Sequence, residues 1–238
     1  MIKHWFRRQH PIKNGDKLRC HALAQSRIPT HCLPLFKKPY PDPNTPLSEV
    51  KCVVLDFETS GLSPDQDAIL SVGMINIHYP VMSLASAQHY YVESEQSIEA
   101  ETAVVNHIVP ETLLGGISRH ELIECLVESL SGKVVIAHGA EIEKQFLRQI
   151  LQLEDSLPLP LIFLDTMRLE RSLMKYRGVM YPDLRLAHLR ELKQLPPYLA
   201  HNAFADVVAT GELFLALIEE ICADQTPLLG PLVLRSLS

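Results

Sequence analysis

Apolar runs separated by polar turns dominate the chain from residue 51 onward. Three such runs come first, at about residues 51–58, 68–77 and 88–92, and no helical pattern separates them. Short apolar runs bounded by turn residues are typical of strands, so their succession predicts a three-stranded antiparallel meander. Residues 98–118 are mixed and indicate short helical turns.

The later pattern alternates helices with strands. Ser118 and Glu121 have the spacing of a capping box, which predicts a helix that ends at Gly132. After it we expect a strand at 134–137, a helix through 143–150, a strand at 161–164, a helix capped by Asp165-Thr166, and helices at about 184–195 and 202–222. This order predicts an α/β fold in which helices cover a mixed sheet of antiparallel and parallel strands.

The first 50 residues differ from the rest in charge and proline content. They carry nine Lys and Arg against three acids, whereas the remainder carries thirteen against twenty-five. Six prolines between residues 29 and 46 predict an extended linker or a strap on the body, without regular helix. We therefore predict a basic, Pro-rich arm at 1–48, a folded domain at 49–222 and a tail at 223–238. The arm would dock nucleic acid or a partner, or be a solvated or packed tail.

Composition argues against several classes of protein. No apolar run reaches the roughly 20 residues that cross a bilayer, and the N-terminus has no secretory apolar segment, so we expect a cytoplasmic protein without membrane contact. The five cysteines include no CxxC pair, which argues against a disulfide framework and a zinc ribbon. Cys20-His21 and His31-Cys32 fit no common zinc module.

Two carboxylates end the first predicted strand. Asp56 and Glu58 are two residues apart, so their side chains project from the same face of a strand. Buried carboxylates are costly without a cation, a basic side chain or water beside them. A divalent metal and a solvated strand end both remain open for this pair.

Three later residues bear on that choice. Glu143 shares one side of its predicted helix with Phe146 and Leu147, which turns the acid partly inward. Asp206 lies among small and apolar residues of the last predicted helix, with His201 five residues before it. Each residue also has a structural alternative. Glu143 would be a solvated helix acid, Asp206 a buried carboxylate satisfied by local hydrogen bonds, and His201 a residue at a helix start without a functional role.

Together these residues resemble the DEDD superfamily of metal-dependent 3′–5′ exonucleases, in its histidine-bearing subgroup. Residues 56–62 match its first motif, Asp-x-Glu-Thr-(Thr/Ser)-Gly-Leu, and residues 201–210 match its third, His-x-Ala-x-x-Asp followed by Ala-Thr. The resemblance covers about residues 50–220 and implies a ribonuclease H-like fold. The superfamily includes the proofreading epsilon subunit of bacterial DNA polymerase III.

The middle motif departs from the family pattern. Relatives usually read His-Asn-Ala-x-Phe-Asp, whereas this chain has Gly139 for the Asn, Ile142 for the Phe and Glu143 for the Asp. Glutamate keeps the charge but is one methylene longer. Either metal positioning or rate suffers, or the neighbouring backbone has adjusted.

The resemblance implies release of nucleoside 5′-monophosphates from the 3′ end of DNA, with two Mg²⁺ or Mn²⁺ ions as cofactors. Carboxylates suit such ions, and Asp56, Glu58, Asp206 and Glu143 would bind them. His201 would be the general base, since imidazole titrates near neutral pH. The residues implied to contact the terminal nucleotide or line the cleft are Thr59, Leu62, His138, Asn106 and His107, and packing in the core is an equal alternative for His138.

Two other functions remain open at this stage. One is an RNA-trimming exoribonuclease with the same chemistry. The other is a catalytically impaired subunit that binds nucleic acid or a polymerase, which the altered middle motif favours. The expected partners are single-stranded or 3′-terminal DNA, or RNA, and a polymerase or other protein that binds through the arm.

Overall fold

The computed structural model describes residues 9–25, 27–93, 108 and 110–237. Its centre is a five-stranded mixed sheet with the strand order β3-β2-β1-β4-β5. The strands are β1 (Cys52–Thr59), β2 (Ile69–His78), β3 (Val81–Tyr91), β4 (Val134–Ala137) and β5 (Ile162–Asp165). The predicted meander is confirmed, because β2 pairs antiparallel with both β1 and β3. Strands β4 and β5 extend the sheet from β1 in parallel.

Helices cover both faces of this sheet. They are α1 (Pro11–Ala24), α2 (Leu33–Lys37), α3 (Pro110–Leu113), α4 (Arg119–Leu130), α5 (Glu141–Ile150), α6 (Thr166–Arg177), α7 (Leu186–Leu192), α8 (Ala203–Cys222) and α9 (Leu229–Arg235). The predicted capping box at Ser118 and Glu121 is present, and Asp165 caps α6 as expected. In the described part of the chain, no helix is both long enough and apolar enough to cross a membrane.

Alternate residues of β1 enter two different hydrophobic cores. Val54 packs with α8, whose buried residues include Val207 and Leu213. Val53 and Leu55 face the other way, into the core that α4 and α5 complete. Asp56 and Glu58 have the same parity as Val54, so they lie on the α8 face of the sheet.

The segment before β1 contains two helices, and α2 contradicts the prediction that the Pro-rich run at residues 29–46 has no regular helix. Helix α1 precedes the Pro-dense stretch. Its sequence is mostly polar, so the sequence pattern does not indicate that Ile12, Arg19 and Ala22 are buried. Helix α2 lies within the stretch and buries Leu35 and Phe36 completely or nearly so. Proline is tolerated in a first helical turn, where its missing N–H has no partner to lose.

The two terminal segments contact each other on the domain. An imidazole nitrogen of His10 hydrogen-bonds the carbonyl oxygen of Gly230 at 3.2 Å, and Pro46 forms a β-bridge with Leu228. Leu229 and Leu232 of α9 enter the core beneath α8. The strap alternative therefore describes the segment before β1 better than a free linker does. The boundaries at 48 and 222 remain a prediction.

Candidate active site

The site lies where the end of β1 meets the first turn of α8. Asp56 is paired with Gly73 of β2, and the backbone of Ala203 lies directly on that glycine. A Cβ at Gly73 would lie 2.1 Å from the Ala203 carbonyl oxygen. The absence of a side chain at Gly73 thus lets α8 approach the sheet closely enough to bring Asp206 to Asp56.

Three carboxylates converge at this point. One oxygen from each of Asp56, Glu58 and Asp206 lies within 4.8 Å of the other two. Asn202, the N-cap of α8, donates its backbone N–H to Asp206 Oδ2 at 2.9 Å, and its side-chain oxygen accepts from Ala205 at 3.1 Å. The register of β1 changes between Glu58 and Thr59, and such irregularities redirect side chains at strand ends.

Burial and mutual repulsion make this carboxylate group costly as long as it is charged. Burial, followed by the charges of Glu143, Asp206 and Glu58, raises the pKa of Asp56 well above its usual value. Burial, followed by the charge of Asp206, raises the pKa of Glu58 to about 8. Burial also raises the pKa of Asp206, although the Asn202 N–H opposes it. A bound cation would remove this cost.

Glu143 lies at the edge of the same site. It is buried, and its Oε2 is without a hydrogen-bond partner among the described residues. Burial, aided by the charge of Asp165, raises its pKa to about 8. Glu143 is not among the three converging carboxylates, but its charge acts on Asp56. Carboxylate oxygens of this kind suit Mg²⁺ or Mn²⁺.

The turn before α5 shows how the altered middle motif is accommodated. Gly139 has a φ of +75°, a conformation that glycine adopts freely and asparagine tolerates. Its N–H and that of Ala140 donate to the Asp165 carboxylate at 3.0 and 3.1 Å. Glycine at position 139 therefore adopts a backbone conformation that the asparagine of the family motif also tolerates. Asp165 fixes the start of the helix that carries Glu143.

His201 lies just before the N-cap of α8 and is exposed. Its φ is +61°, in the left-handed region where histidine, asparagine and aspartate are enriched among non-glycine residues. The charge of His201 lowers the pKa of Asp206, which partly opposes the effect of burial there. The structure therefore places an accessible imidazole beside the carboxylate group.

The residues predicted to contact substrate differ in their surroundings. Thr59 donates its hydroxyl to the Gly61 carbonyl oxygen at 2.7 Å, and Leu62 is 75% exposed on the loop that follows. Both ring nitrogens of His138 are hydrogen-bonded within the protein, to Thr166 Oγ1 at 2.8 Å and to the Leu184 carbonyl oxygen at 2.9 Å. These bonds favour the packing alternative for His138. Asn106 and His107 lie outside the described residues.

Two residues near the site were not found from the sequence. The Tyr198 hydroxyl interacts with Asp206, and burial together with that carboxylate raises the pKa of Tyr198, which keeps it a proton donor. Arg190 is buried, and its guanidinium carbon lies 5.2 Å from the centroid of the Tyr198 ring. A signal for Arg190 was present, because it lies next to Leu189 and four residues after Leu186 on the buried face of α7.

For the exonuclease activity that the sequence resemblance implies, Gly73→Ala is expected to lower the rate on the order of 100-fold, as misplaced catalytic groups do. The new methyl group would displace Ala203 and with it the start of α8 that carries Asp206. The measurement is the cleavage rate at saturating metal. Gly115→Ala is the control, since a Cβ there meets nothing within 4 Å. Equal rates for the two variants would contradict the importance of this close approach.

The metal-free protein is expected to lose stability as the pH rises from about 5 to about 8. Folded protein retains protons on Glu58 and Glu143 up to a pKa of about 8, whereas an unfolded chain releases them near pH 4.3. The folded state then binds more protons, so the free energy of unfolding falls with pH. Thermal denaturation in chelator should show a smaller fall for Glu58→Gln. An equal fall in both proteins would contradict the assignment to Glu58.

The comparisons with known proteins agree with this geometry. The family model RNase_T, described as an exonuclease, matches residues 53–214. A PolC-type DNA polymerase III from Thermotoga petrophila is 28% identical over 167 residues, which cover 70% of this chain but only 12% of that polymerase. The DNA polymerase III subunit epsilon of Treponema pallidum is 24% identical over 169 residues, covering 71% of this chain and 77% of the relative.

Solved structures share the fold. E. coli Exonuclease I in complex with a dA16 oligonucleotide superposes with a TM-score of 0.62 at 16% identity, over 72% of this chain and 41% of that one. Exonuclease X in complex with 5′ overhanging duplex DNA gives a TM-score of 0.56 at 17% identity, over 76% of this chain and 99% of that one. The expected ribonuclease H-like mixed sheet flanked by helices is confirmed by these matches.

Proposed function

Since the chain belongs to the exonuclease family RNase_T, we propose that it is a DEDD-type exonuclease that removes nucleotides from the 3′ end of DNA. The observation that carries this proposal is the convergence of Asp56, Glu58 and Asp206 within 4.8 Å. His201 next to Asp206 supports membership of the histidine-bearing subgroup. The products would be nucleoside 5′-monophosphates and a strand shortened by one residue.

The carboxylates of the site would hold two divalent ions. Asp56, Glu58 and Asp206 would be the carboxylates that hold them, with Glu143 as a fourth, supporting acid. Such ions, when bound, make water more acidic and neutralise charge on the phosphoryl oxygens. Four acidic side chains in one buried place, with raised pKa values at all four, support this assignment.

His201 would act as the general base in the hydrolysis. An imidazole nitrogen accepts a proton from the attacking water as the oxygen–phosphorus bond forms. The bond from phosphorus to the 3′-oxygen breaks, and that oxygen leaves with a proton from solvent. Exposure of His201 lets its proton exchange with water after each cycle. Thr59 and Leu62 at the end of β1 would contact the terminal nucleotide.

The similar proteins support DNA as the substrate of this chain. Exonuclease I and Exonuclease X were solved with DNA, and the polymerase III relatives are named for DNA synthesis. This chain matches only 12% of the PolC-type polymerase, whose remaining sequence has no counterpart in the match. We therefore include association with a separate polymerase in the proposal. The strap of residues 9–48 and helix α9 would be the surfaces available to such a partner.

The proposal is tested by the identity of the first product. An oligonucleotide labelled in its 3′-terminal nucleotide should release that label at once as a nucleoside 5′-monophosphate when Mn²⁺ is present. A labelled 3′-monophosphate, or label in longer fragments, would contradict it. Matched DNA and RNA oligonucleotides separate the preferred substrate from the RNA-trimming alternative, which predicts faster release from RNA.

Glu143→Asp tests the alternative of an impaired subunit. We expect a change in cleavage rate of less than about tenfold, because aspartate keeps the charge and is only one methylene shorter, whereas even the mutation of an outer-shell partner of a metal typically costs about 10- to 100-fold. The turn at Gly139 and the bonds to Asp165 fix the start of α5 and do not involve Glu143, so we expect them to remain in the variant. Steady-state kinetics at several Mn²⁺ concentrations provide the measurement. A large gain in activity would instead favour the impaired subunit.

A further inference from the structure

The loop between α7 and α8 carries His201, and its two ends are held in different ways. At its C-terminal end, Asn202 fixes the loop to α8 through its bond to Asp206 Oδ2 and its cap on Ala205. At its N-terminal end, the fixed point is Arg190. The position of His201 relative to Asp206 therefore depends on both attachments.

Arg190 links this loop to α8 through a set of short contacts. Its guanidinium donates to the carbonyl oxygen of Pro196 at 2.8 Å in the loop, and to that of Ala209 at 2.7 Å in α8. It also pairs with Glu212 at 2.7 Å. The ring of Tyr198 packs against the same guanidinium, at 5.2 Å from its carbon to the ring centroid.

Both endpoints of this link are close to the site. Ala209 lies one turn beyond Asp206 on α8, and Tyr198 reaches Asp206 from the loop. The side chain of Arg190 is only 4% exposed, so its contacts with protein groups are protected from water. A planar guanidinium presents five donors in a fixed fork, and the single ammonium of lysine cannot replace them.

A second buried cation, Lys193, also links the end of α7 to neighbouring helices. Lys193 pairs with Glu170 of α6 at 2.7 Å and with Glu220 of α8 at 2.8 Å. It secures the end of α7, three residues before the carbonyl that Arg190 binds. Arg190 is the cation whose contacts reach forward into residues 196–198.

We propose that Arg190 is a positioning residue, which holds residues 196–201 so that the His201 imidazole faces the site. The inference rests on the proposed function, because it takes His201 as the general base. Arg190 acts through the loop and does not touch the substrate. The carboxylates proposed to bind metal sit on β1, α5 and α8, outside the loop. Asp206 is also bonded to the C-terminal end of the loop, by the Asn202 N–H, and we expect that bond to remain when residues 196–198 shift.

The test compares chemistry with metal binding in Arg190→Lys. We expect kcat to fall on the order of 100-fold, as it does when a catalytic group is displaced by about 1 Å. The dissociation constant for Mn²⁺, measured by the electron paramagnetic resonance of free Mn²⁺, should stay within about twofold, since no metal-binding side chain has changed.

Two further variants control for a purely structural effect. Arg148→Lys disturbs an arginine that binds two carbonyl oxygens of a different loop, those of Leu157 at 2.9 Å and Glu154 at 2.8 Å. It should lower the melting temperature and leave kcat near that of the wild type. Glu212→Gln should also retain kcat, because both carbonyl bonds of Arg190 remain.

The role of the Tyr198 ring provides an independent test that does not depend on changing Arg190. Tyr198→Leu removes the ring that packs on the guanidinium, whereas Tyr198→Phe keeps it. The leucine variant should therefore have the lower kcat. Equal kcat values in these two variants would contradict the proposal that the contact between the Tyr198 ring and Arg190 positions the loop.

The possible failures are distinguishable. An active wild type with an equally active Arg190→Lys variant would overturn the positioning role alone. A parallel loss of kcat and Mn²⁺ affinity in that variant would overturn it as well, because the arginine would then support the whole site. A wild-type protein that neither binds Mn²⁺ nor cleaves DNA would overturn the proposed function and this inference with it.

Discussion

Asp56→Asn is expected to lower nuclease activity by about 1000-fold, the upper end of what one electrostatic group contributes. Burial, and then the charges of all three acidic neighbours, raise the pKa of Asp56. Asparagine keeps the size of the side chain and removes the charge, so the divalent ions would lose one of the carboxylates proposed to hold them.

The same substitution should stabilise the metal-free protein. Because its pKa is raised well above the usual value by burial and by its acidic neighbours, Asp56 must take up a proton when the metal-free protein folds at neutral pH, and this uptake costs stability. Asparagine is neutral in both states and carries no such cost. Thermal denaturation in chelator should therefore give a higher melting temperature for Asp56→Asn than for the wild type. Asp224→Asn, at an exposed position outside the site, should change neither quantity. Lost activity together with lower stability would indicate misfolding and contradict this account.

His201→Asn is expected to lower kcat by about 100- to 10,000-fold, the range for loss of a general base. Asparagine tolerates the left-handed backbone conformation that His201 adopts at a φ of +61°, so the loop should keep its shape. Affinity for Mn²⁺ should change little, since His201 is not among the proposed ligands.

Single-turnover cleavage at saturating Mn²⁺ measures this effect of His201 directly. His120→Asn removes an exposed histidine from α4 and is the matched control. Full activity in His201→Asn would assign the proton transfer to another group. Loss of Mn²⁺ affinity in proportion to kcat would also contradict the proposed role.

The arrangement at the end of β1 could be predicted because it depends on local spacing. Alternation along the strand puts Asp56 and Glu58 on one face, and the helical spacing after His201 brings Asp206 into the first turn of α8. These patterns survive in any context that buries the strand. The bounds of β1, β2, β4 and β5 were predicted to within one residue for the same reason.

The contacts between distant segments could not be predicted in that way. Helix α1 is polar in sequence, and its stability comes from packing that includes a bond from His10 to Gly230. Strand β3 begins at Val81, earlier than the expected residue 88, because an exposed edge strand need not alternate apolar with polar residues. Periodicity reports which side of an element is buried and not which segment covers it.

The site shows the same limit. Gly73 has no chemical signal in the sequence, and its importance comes from the backbone of Ala203 that lies on it. Arg190 reaches Ala209 and Pro196 through tertiary contacts alone. The carboxylates were identified from their residue types, whereas the groups that place them required the folded chain.

The most direct test of the central claim is the digestion of a 5′-labelled single-stranded DNA oligonucleotide with Mn²⁺, followed on a sequencing gel. The account predicts a ladder that shortens from the 3′ end one nucleotide at a time with the wild-type protein, and an intact oligonucleotide with Asp56→Asn. An oligonucleotide left intact by the wild type with Mn²⁺ or Mg²⁺, or an internal cut without a ladder, would contradict it.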